Sequence, residues 1–291
     1  MKKPIFSIII PAHNEETLIK RAIDSILFQT FREYEIIISN DGSTDNTQKI
    51  VENLIKKDKR IKIINRKKGH SAAFARNKGA EIAKGKVLVF LDADCIVSKN
   101  FLEKIHRELK KADAFAVDCF AIKNSFVNYA LSGLTVPVKL EKRTYSKYDV
   151  DSPMFFTIKK KAYDTIKGYN EDLFYFEDED FAKRFYSKGF KTLFVEGAFQ
   201  YFELPSSFRE FLRQCKWIAK GTNSFKNPTD RKNKRALWFL KSLFLISPVL
   251  FLMVSYEAFL WVLAITIGFT YLNLVKRNKN IFKSITDEIK E

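Results

Sequence analysis

Cysteine is scarce in this chain, and its placement excludes two ways of stapling a fold. Only three are present among 291 residues, Cys95, Cys119 and Cys215, far apart and in no CxxC or Cys/His spacing. A disulfide scaffold and a structural zinc site are therefore not expected. His13, His70 and His106 are the only histidines, and they show no ligand spacing. Two glycine-rich signatures are also missing. No GxGxxG follows the first apolar run, and no GxxxxGK ending in Ser or Thr occurs, so dinucleotide-oxidoreductase and P-loop readings lose their main support. No secretory leader is expected. The Ile-rich run after Met1-Lys2-Lys3 is short and reaches Pro11 and then charged residues.

Acid is in deficit as well: 34 Asp+Glu stand against 51 Lys+Arg, a net charge of +17. A 46% apolar fraction with 28 Phe excludes a disordered or collagen-like chain and allows a sizeable core. Excess base suits nucleic acid, a membrane surface or anionic small substrates. Position favours the membrane. Residues 206–235 carry nine Lys/Arg and two acids, net +7, directly before the most apolar part of the chain. Nucleic acid is not an expected partner.

Residues 236–256 are almost continuously apolar, with Lys241 near their start, and 258–275 form an apolar run of eighteen; only Glu257 separates them. A bilayer core takes about 20 apolar residues per helix, so 236–275 reads as a transmembrane helical hairpin. Basic residues flank it at 231–235 and at Lys276-Arg277-Asn278-Lys279, and none lies in the connection. The positive-inside rule then puts both ends in the cytoplasm of a two-span cell-membrane protein. A buried or interfacial helix pair is the competing reading of the same runs.

Upstream, β-branched runs alternate with helical spacing. Strands are expected at 5–10, 34–39, 61–64, 87–91 and 114–119, with a further one at 192–196. Helices are expected at 16–29, where Leu18, Ala22, Ile23, Ile26 and Leu27 share a face, and at 45–57, 71–83 and 101–111. Asp45 is a plausible N-cap of the second helix. The alternation predicts an α/β fold with a doubly wound, mostly parallel sheet. Ligands of such sheets bind beyond the carboxyl ends of the strands, and that is where the polar clusters fall.

Four constellations carry possible chemistry. Asp92-Ala93-Asp94 follows a hydrophobic strand, and two carboxylates so placed can share Mg2+ or Mn2+ with phosphate oxygens. Asp41, at a strand end before Gly42, can accept hydrogen bonds from a nucleobase or ribose. Glu177-Asp178-Glu179-Asp180 suits a helix start, where one carboxylate can act as a general base. Arg76 can pair with a phosphate or lie on a solvated helix face. His13 is a candidate lining residue, His106 reads as a helix-surface residue, and Cys95 reads as packing.

The order of these motifs resembles the family 2 glycosyltransferases, over roughly residues 4–220. The carriers are Ile-Ile-Ile-Pro-Ala-His-Asn-Glu-Glu ending at Glu16, Ser-Asn-Asp-Gly-Ser-Thr-Asp-Asn-Thr ending at Thr47, Ala75-Arg76-Asn77-Lys78-Gly79, Phe90-Leu91-Asp92-Ala93-Asp94, Gly168-Tyr169-Asn170-Glu171 and Phe176-Glu177-Asp178-Glu179-Asp180-Phe181. The resemblance implies a GT-A nucleotide-sugar-binding fold and inverting transfer of a sugar from a nucleotide-diphosphate donor to a hydroxyl on a glycan or lipid-linked acceptor, in cell-surface glycan or glycolipid synthesis. It implies that Pro11, Asn14 and Glu15 surround the nucleoside and Asp41 meets the base. Arg76 and Glu177 would also touch substrate. Asp92 and Asp94 would hold a divalent cation and the diphosphate, and Asp178 would be the catalytic base.

Three departures qualify the match. Asn40 stands where an acid is frequent, Tyr201 where His is frequent, and Arg213-Gln214-Cys215-Lys216-Trp217 where processive members carry Gln-x-x-Arg-Trp. The expected organisation is a transferase domain at 1–220, a basic juxtamembrane linker at 221–235, the hairpin at 236–275 and a basic cytoplasmic tail at 276–291. Transfer to a polyprenyl phosphate and a catalytically silent membrane scaffold are the alternatives.

Overall fold

The Ile-rich run near the start of the chain lies in the interior of a sheet, and that position explains its composition. A computed structural model describes residues 3–122, 157–173 and 177–203. They form strands β1 (Phe6–Ala12), β2 (Tyr34–Asp41), β3 (Ile61–Arg66), β4 (Val87–Phe90), β5 (Cys95–Val97), β6 (Ala114–Ile122), β7 (Thr157–Lys159) and β8 (Thr192–Glu203). The helices are α1 (Ile19–Leu27), α2 (Thr47–Lys57), α3 (Ala72–Ile82), α4 (Phe101–Glu108), α5 (Lys160–Thr165) and α6 (Glu177–Ser187). All described residues belong to one compact unit. The expected hairpin at 236–275, its basic flanks at 221–235 and 276–291, and the departure at 213–217 lie outside them. Among the described residues, no helix is long and apolar enough to cross a membrane.

The sheet runs β3-β2-β1-β4-β7-β6-β8-β5. β3, β2, β1 and β4 are parallel, as the alternation predicts. Both faces of this half are covered, so β2 is buried at every position and β1 at all but Pro11. Ile8 and Ile10 meet Ile19, Ile23 and Ile26 of α1, whereas Ile9 faces α3 and shares a core with Phe90, Tyr163 and Phe185.

Among the described residues, the expectation of a mostly parallel sheet holds at four of the seven pairings, β6 with β8 included, while the second half also contains antiparallel ones. β7 runs antiparallel to both β4 and β6, and β5 runs antiparallel to β8, so the sheet is mixed. β5 and β7 escape sequence reading because three residues cannot display a period of two. β8 is longer than expected. Glu196 and Gly197, with Gly197 at φ 72, interrupt its apolar run beside the register shift between Ala116 and Asp118.

A carboxylate is buried at the amino ends of the parallel strands. Glu35 accepts from Ser7 Oγ at 2.7 Å, Lys62 Nζ at 2.6 Å and the Lys84 backbone N at 2.6 Å. Burial pushes its carboxyl up, but these donors prevail and hold it below the ordinary carboxylate value. The network closes the amino ends of the strands and leaves their carboxyl ends open for the polar loops.

Candidate active site at the carboxyl edge of the sheet

Two loops that leave adjacent parallel strands are laced together. Asn14, at φ 60, donates its backbone N to Ser43 Oγ at 3.0 Å and accepts from Thr44 N at 2.8 Å. Glu15 N donates to Thr47 Oγ1 at 2.8 Å, and Glu16 N to Asp45 Oδ2 at 3.1 Å. Asp45 also accepts from Thr47 N at 3.0 Å, so its carboxylate serves the start of α2 although Asn46 occupies the cap position. Pro11 pairs in register with Ser39, half-buried in β1.

Asp41 ends β2 in a buried corner. Its Oδ2 accepts from the His70 backbone N at 2.6 Å, and its backbone O lies 2.8 Å from His13 Nδ1. Among the described residues, no hydrogen bond reaches the buried Oδ1; Arg66 Nε, equally without a hydrogen bond, forms an ion pair with it at 3.5 Å. The Arg66 guanidinium lies over the Phe74 ring at 4.0 Å, and His70 stacks on the same ring at 4.6 Å. The exposed His70 ring of this stack, beside a carboxylate oxygen that no hydrogen bond reaches, suits a planar donor-bearing ring. Gly42, at φ 73, permits this corner. A Cβ there would lie 2.6 Å from Gly69 N.

The second corner is built on α3. Gly79 lets this Ala-rich helix settle on β1, since a Cβ at Gly79 would lie 2.4 Å from Ile9 Cγ2. Arg76 is thereby buried. Its Nη2 donates to Asp92 Oδ1 at 2.9 Å and its Nη1 to Glu177 Oε1 at 2.8 Å. The reading of Arg76 as a solvated helix-face residue is thus corrected. Burial alone would depress its pKa, but Asp92, Tyr169 and Glu177 push it upward, so the guanidinium stays charged.

The helical start expected at Glu177-Asp178-Glu179-Asp180 is the first turn of α6. Asp178 is close enough that its charge acts on Tyr169, whose ring lies 5.3 Å from the Arg76 guanidinium. Asp92, Arg76, Glu177, Tyr169 and Asp178 thus share one corner.

Beside them, Asp94 is half-buried. Burial and the neighbouring Asp92 charge push its carboxyl up to about 6, while Cys95 Sγ donates to it at 3.3 Å. Glu15 is pushed up to about 7 by burial, then by Asp94, Asp92 and Asp45. Cys95 is held protonated by burial and by Asp94 and Asp92, in keeping with a packing role. His106 is exposed at the surface and tilts on Phe31 at 4.6 Å.

Among the described residues, no three His, Cys, Asp or Glu side chains form a metal cage. The donor set nonetheless fits a hard divalent cation. Such ions are commonly held by one or two carboxylates, with phosphate oxygens filling the shell, and crowding raises the cost of leaving Asp94 and Glu15 ionised without one.

Asn77 and Tyr169 have a role that the motif spacing does not reveal. Asn77 Oδ1 accepts from Tyr169 N at 2.9 Å and Tyr163 OH at 2.6 Å, and Nδ2 donates to Tyr169 O at 2.9 Å and Glu171 Oε1 at 2.8 Å. Tyr169 then stacks on Phe181 at 4.3 Å. The Gly-Tyr-Asn-Glu motif was the available signal, but its partner on α3 lies some ninety positions upstream.

Comparison with known proteins agrees with this geometry. The family model for Glycosyl transferase family 2 matches residues 7–170. The uncharacterized glycosyltransferase EpsJ of Bacillus subtilis (strain 168) is 30% identical over 219 residues, 71% of this chain and 63% of its own length. The GalNAc(5)-diNAcBac-PP-undecaprenol beta-1,3-glucosyltransferase of Campylobacter jejuni is 30% identical over 209 residues, 69% of this chain and 65% of its own. The chain thus spans less than two thirds of either relative. Among solved structures, S. aureus TarS 1-349 in complex with UDP-GlcNAc aligns with a TM-score of 0.56 at 20% identity, covering 89% of this chain and 79% of that one. GalNAc-T7 with UDP, GalNAc and Mn2+ aligns at 0.55 and 18%, covering 69% of this chain and 43% of that one. These two likenesses support the GT-A fold.

Proposed function

The chain belongs to the family 2 glycosyltransferases, and from that premise we propose that it moves a sugar from a nucleotide-diphosphate sugar to a hydroxyl of a glycan or lipid-linked acceptor, with inversion at the anomeric carbon. The observation that carries this reading is the buried Arg76, which joins Asp92 to Glu177 and so sets the Asp92-Asp94 pair beside Asp178. On this reading a donor site and a base would lie side by side, which is what in-line displacement requires.

In this reading the nucleobase occupies the Asp41 corner, beside the His70 ring that stacks on Phe74, with its donor on the Oδ1 that no hydrogen bond reaches. Asn14 and Glu15 line the path from there to Asp94, next to Pro11. Asp92 and Asp94 would hold Mg2+ or Mn2+, which supplies positive charge where the diphosphate departs. Arg76 keeps the Asp92 carboxylate oriented and holds the start of α6 against it. Asp178 takes the acceptor hydroxyl proton as the oxygen attacks the anomeric carbon. The TarS complex contains UDP-GlcNAc and the GalNAc-T7 complex Mn2+, which supports a nucleotide-sugar donor and a divalent cation here. The Campylobacter relative is named for a PP-undecaprenol substrate, which supports a lipid-linked acceptor; attachment through a hairpin at 236–275 rests on the apolar runs of the sequence.

A screen of nucleotide sugars by thermal shift with Mg2+ or Mn2+, followed by turnover and by NMR of the product's anomeric proton, tests the proposal. Inverted product is expected, with Asp178→Asn lowering turnover about 100-fold or more while donor binding persists. Product of retained configuration, or an Asp178→Asn enzyme of near wild-type rate, would reject it.

A further inference from the structure

The carboxyl edge of the sheet holds the proposed chemistry, and the opposite edge carries a feature that chemistry leaves unused. Where β1 and β4 begin and β7 ends, a cleft of 1170 Å³ is lined by Lys3, Lys84, Lys86, Lys159, Lys160 and Lys161. Among the described residues, Asp164 is its only carboxylate. The backbone fixes these positions. Val87 N donates to Ile5 O at 3.0 Å and Lys160 N to Lys86 O at 2.8 Å, while Lys159 pairs in register with Val87. Gly85 is pressed onto β1, where a Cβ would lie 2.6 Å from Ser7 N, and the chain carrying Lys84 and Lys86 is tied there by Gly85 N donating to Ser7 Oγ at 2.8 Å and Lys84 N to Glu35 Oε1 at 2.6 Å.

Two of the six lysines have structural partners. Lys160 Nζ donates to the Ala83 and Ala80 carbonyls at 2.7 and 3.2 Å, closing the C-terminal end of α3. Lys159 Nζ comes within 4.0 Å of Asp113. Among the described residues, Lys3, Lys84, Lys86 and Lys161 enter no ion pair. Concentrating unpaired ammonium groups around one concavity raises their mutual repulsion, and an anion in the cleft relieves it. Lysine presents a point charge with three rotatable donors, a match for clustered phosphate oxygens rather than for a planar carboxylate fork. The cleft is also large for a single phosphate.

We propose that this cleft is a second anion site, at the sheet edge opposite the donor site, for a ligand bearing two or more phosphate groups. The shared chemistry can be supplied by a soluble polyphosphorylated molecule or by phosphorylated lipid headgroups presented side by side. The proposal does not depend on the transferase reading and fails or stands separately from it.

The test uses the full chain in a neutral detergent with EDTA, which prevents divalent cations from bringing phosphate to Asp92 and Asp94. Lysine acetylation followed by mass spectrometry is run alone, with tripolyphosphate, and with phosphatidylglycerol or phosphatidylcholine in the micelles. Modification of Lys84, Lys86 and Lys161 should fall about five-fold or more at saturating probe, while exposed Lys56 and Lys57 of α2 stay unchanged. The protection should fade as salt is raised.

Protection by tripolyphosphate assigns a soluble ligand, and protection by phosphatidylglycerol alone assigns headgroups. A Lys84→Ser, Lys86→Ser, Lys161→Ser variant should keep its midpoint without probe and lose the probe-induced shift, whereas the Lys→Arg triple variant should retain it. Equal acetylation with and without both probes, or protection of all exposed lysines alike, overturns the proposal.

Discussion

Arg76 is a charge centre before it is a contact. With 7% exposure it has Asp92 on one side and the equally buried Glu177 on the other. Truncating one partner of a buried pair leaves the others as uncompensated charges, at a cost of about 3–5 kcal/mol. Arg76→Met should therefore lower the urea midpoint by that equivalent and abolish turnover, while Glu177→Gln in the same background should recover part of the stability. A double-mutant cycle in urea measures the coupling; strict additivity would mean that the two residues do not share a charge problem. Sequence spacing supplied the identity of Arg76 and its position on a helix, but not its burial, because that depends on Gly79 and on a partner about a hundred positions away.

Glu35 gives a residue-scale prediction of a different kind. Its folded pKa lies below the unfolded carboxylate value of 4.5, so its network is fully stabilising above that pH and is lost as pH falls through the depressed value. Wild-type protein should lose more of its urea midpoint than Glu35→Gln between about pH 6 and about pH 3. Parallel curves would show that the carboxylate contributes nothing. Glu15 carries the opposite sign. Its carboxyl is pushed up to about 7, so ionising it costs stability above the unfolded value, and the full cost is reached above the folded one. Glu15→Gln should raise the thermal midpoint of metal-free protein at about pH 8 and leave it nearly unchanged at about pH 4.

At the scale of elements, α3 decides how the two corners meet. Its Ala and Gly positions give it little amphipathic contrast, yet they let it approach β1 closely enough to bury a guanidinium. Gly79→Ala sets two effects against each other. Helix propensity favours Ala by about 1 kcal/mol, while overpacking against Ile9, 2.4 Å from the new Cβ, costs about 1–3 kcal/mol. The packing cost wins, and the displaced helix carries Arg76 with it. A net loss of stability together with a fall in turnover is expected from urea titration and donor assays; a more stable, fully active variant would show that the contact yields freely.

The same contrast explains which elements sequence reading could see. β1, β2, β3, β4, α1, α2 and α3 announce themselves through apolar runs and 3.6-residue spacing. β5 and β7 are stabilised only by the neighbours they pair with, and the Asn77 hub exists only after the chain has folded.

For the whole molecule, the charge of +17 and the apolar stretches at 236–256 and 258–275 pose one question: whether attachment to a bilayer is electrostatic or hydrophobic. The two mechanisms respond oppositely to salt. Basic residues drawn to anionic headgroups contribute about 1 kcal/mol each near the surface, and that attraction decays within a Debye length of about 3 Å at 1 M ionic strength. Two apolar helices spanning a core about 30 Å thick are held by transfer of hydrocarbon from water, which high salt does not weaken. After cell lysis the full chain should sediment with membranes and stay there through a wash in about 1 M salt or in alkaline carbonate, leaving only with detergent. Cysteine accessibility then tests orientation. Single cysteines placed at Glu257 and Lys279 in a cysteine-free background should label from opposite sides of the membrane, because the positive-inside rule keeps the basic ends in the cytoplasm and sends the connection across. Release by salt alone would make the attachment a surface charge effect. Labelling of both positions from the cytoplasmic side would lay the two apolar runs in the interface rather than through it.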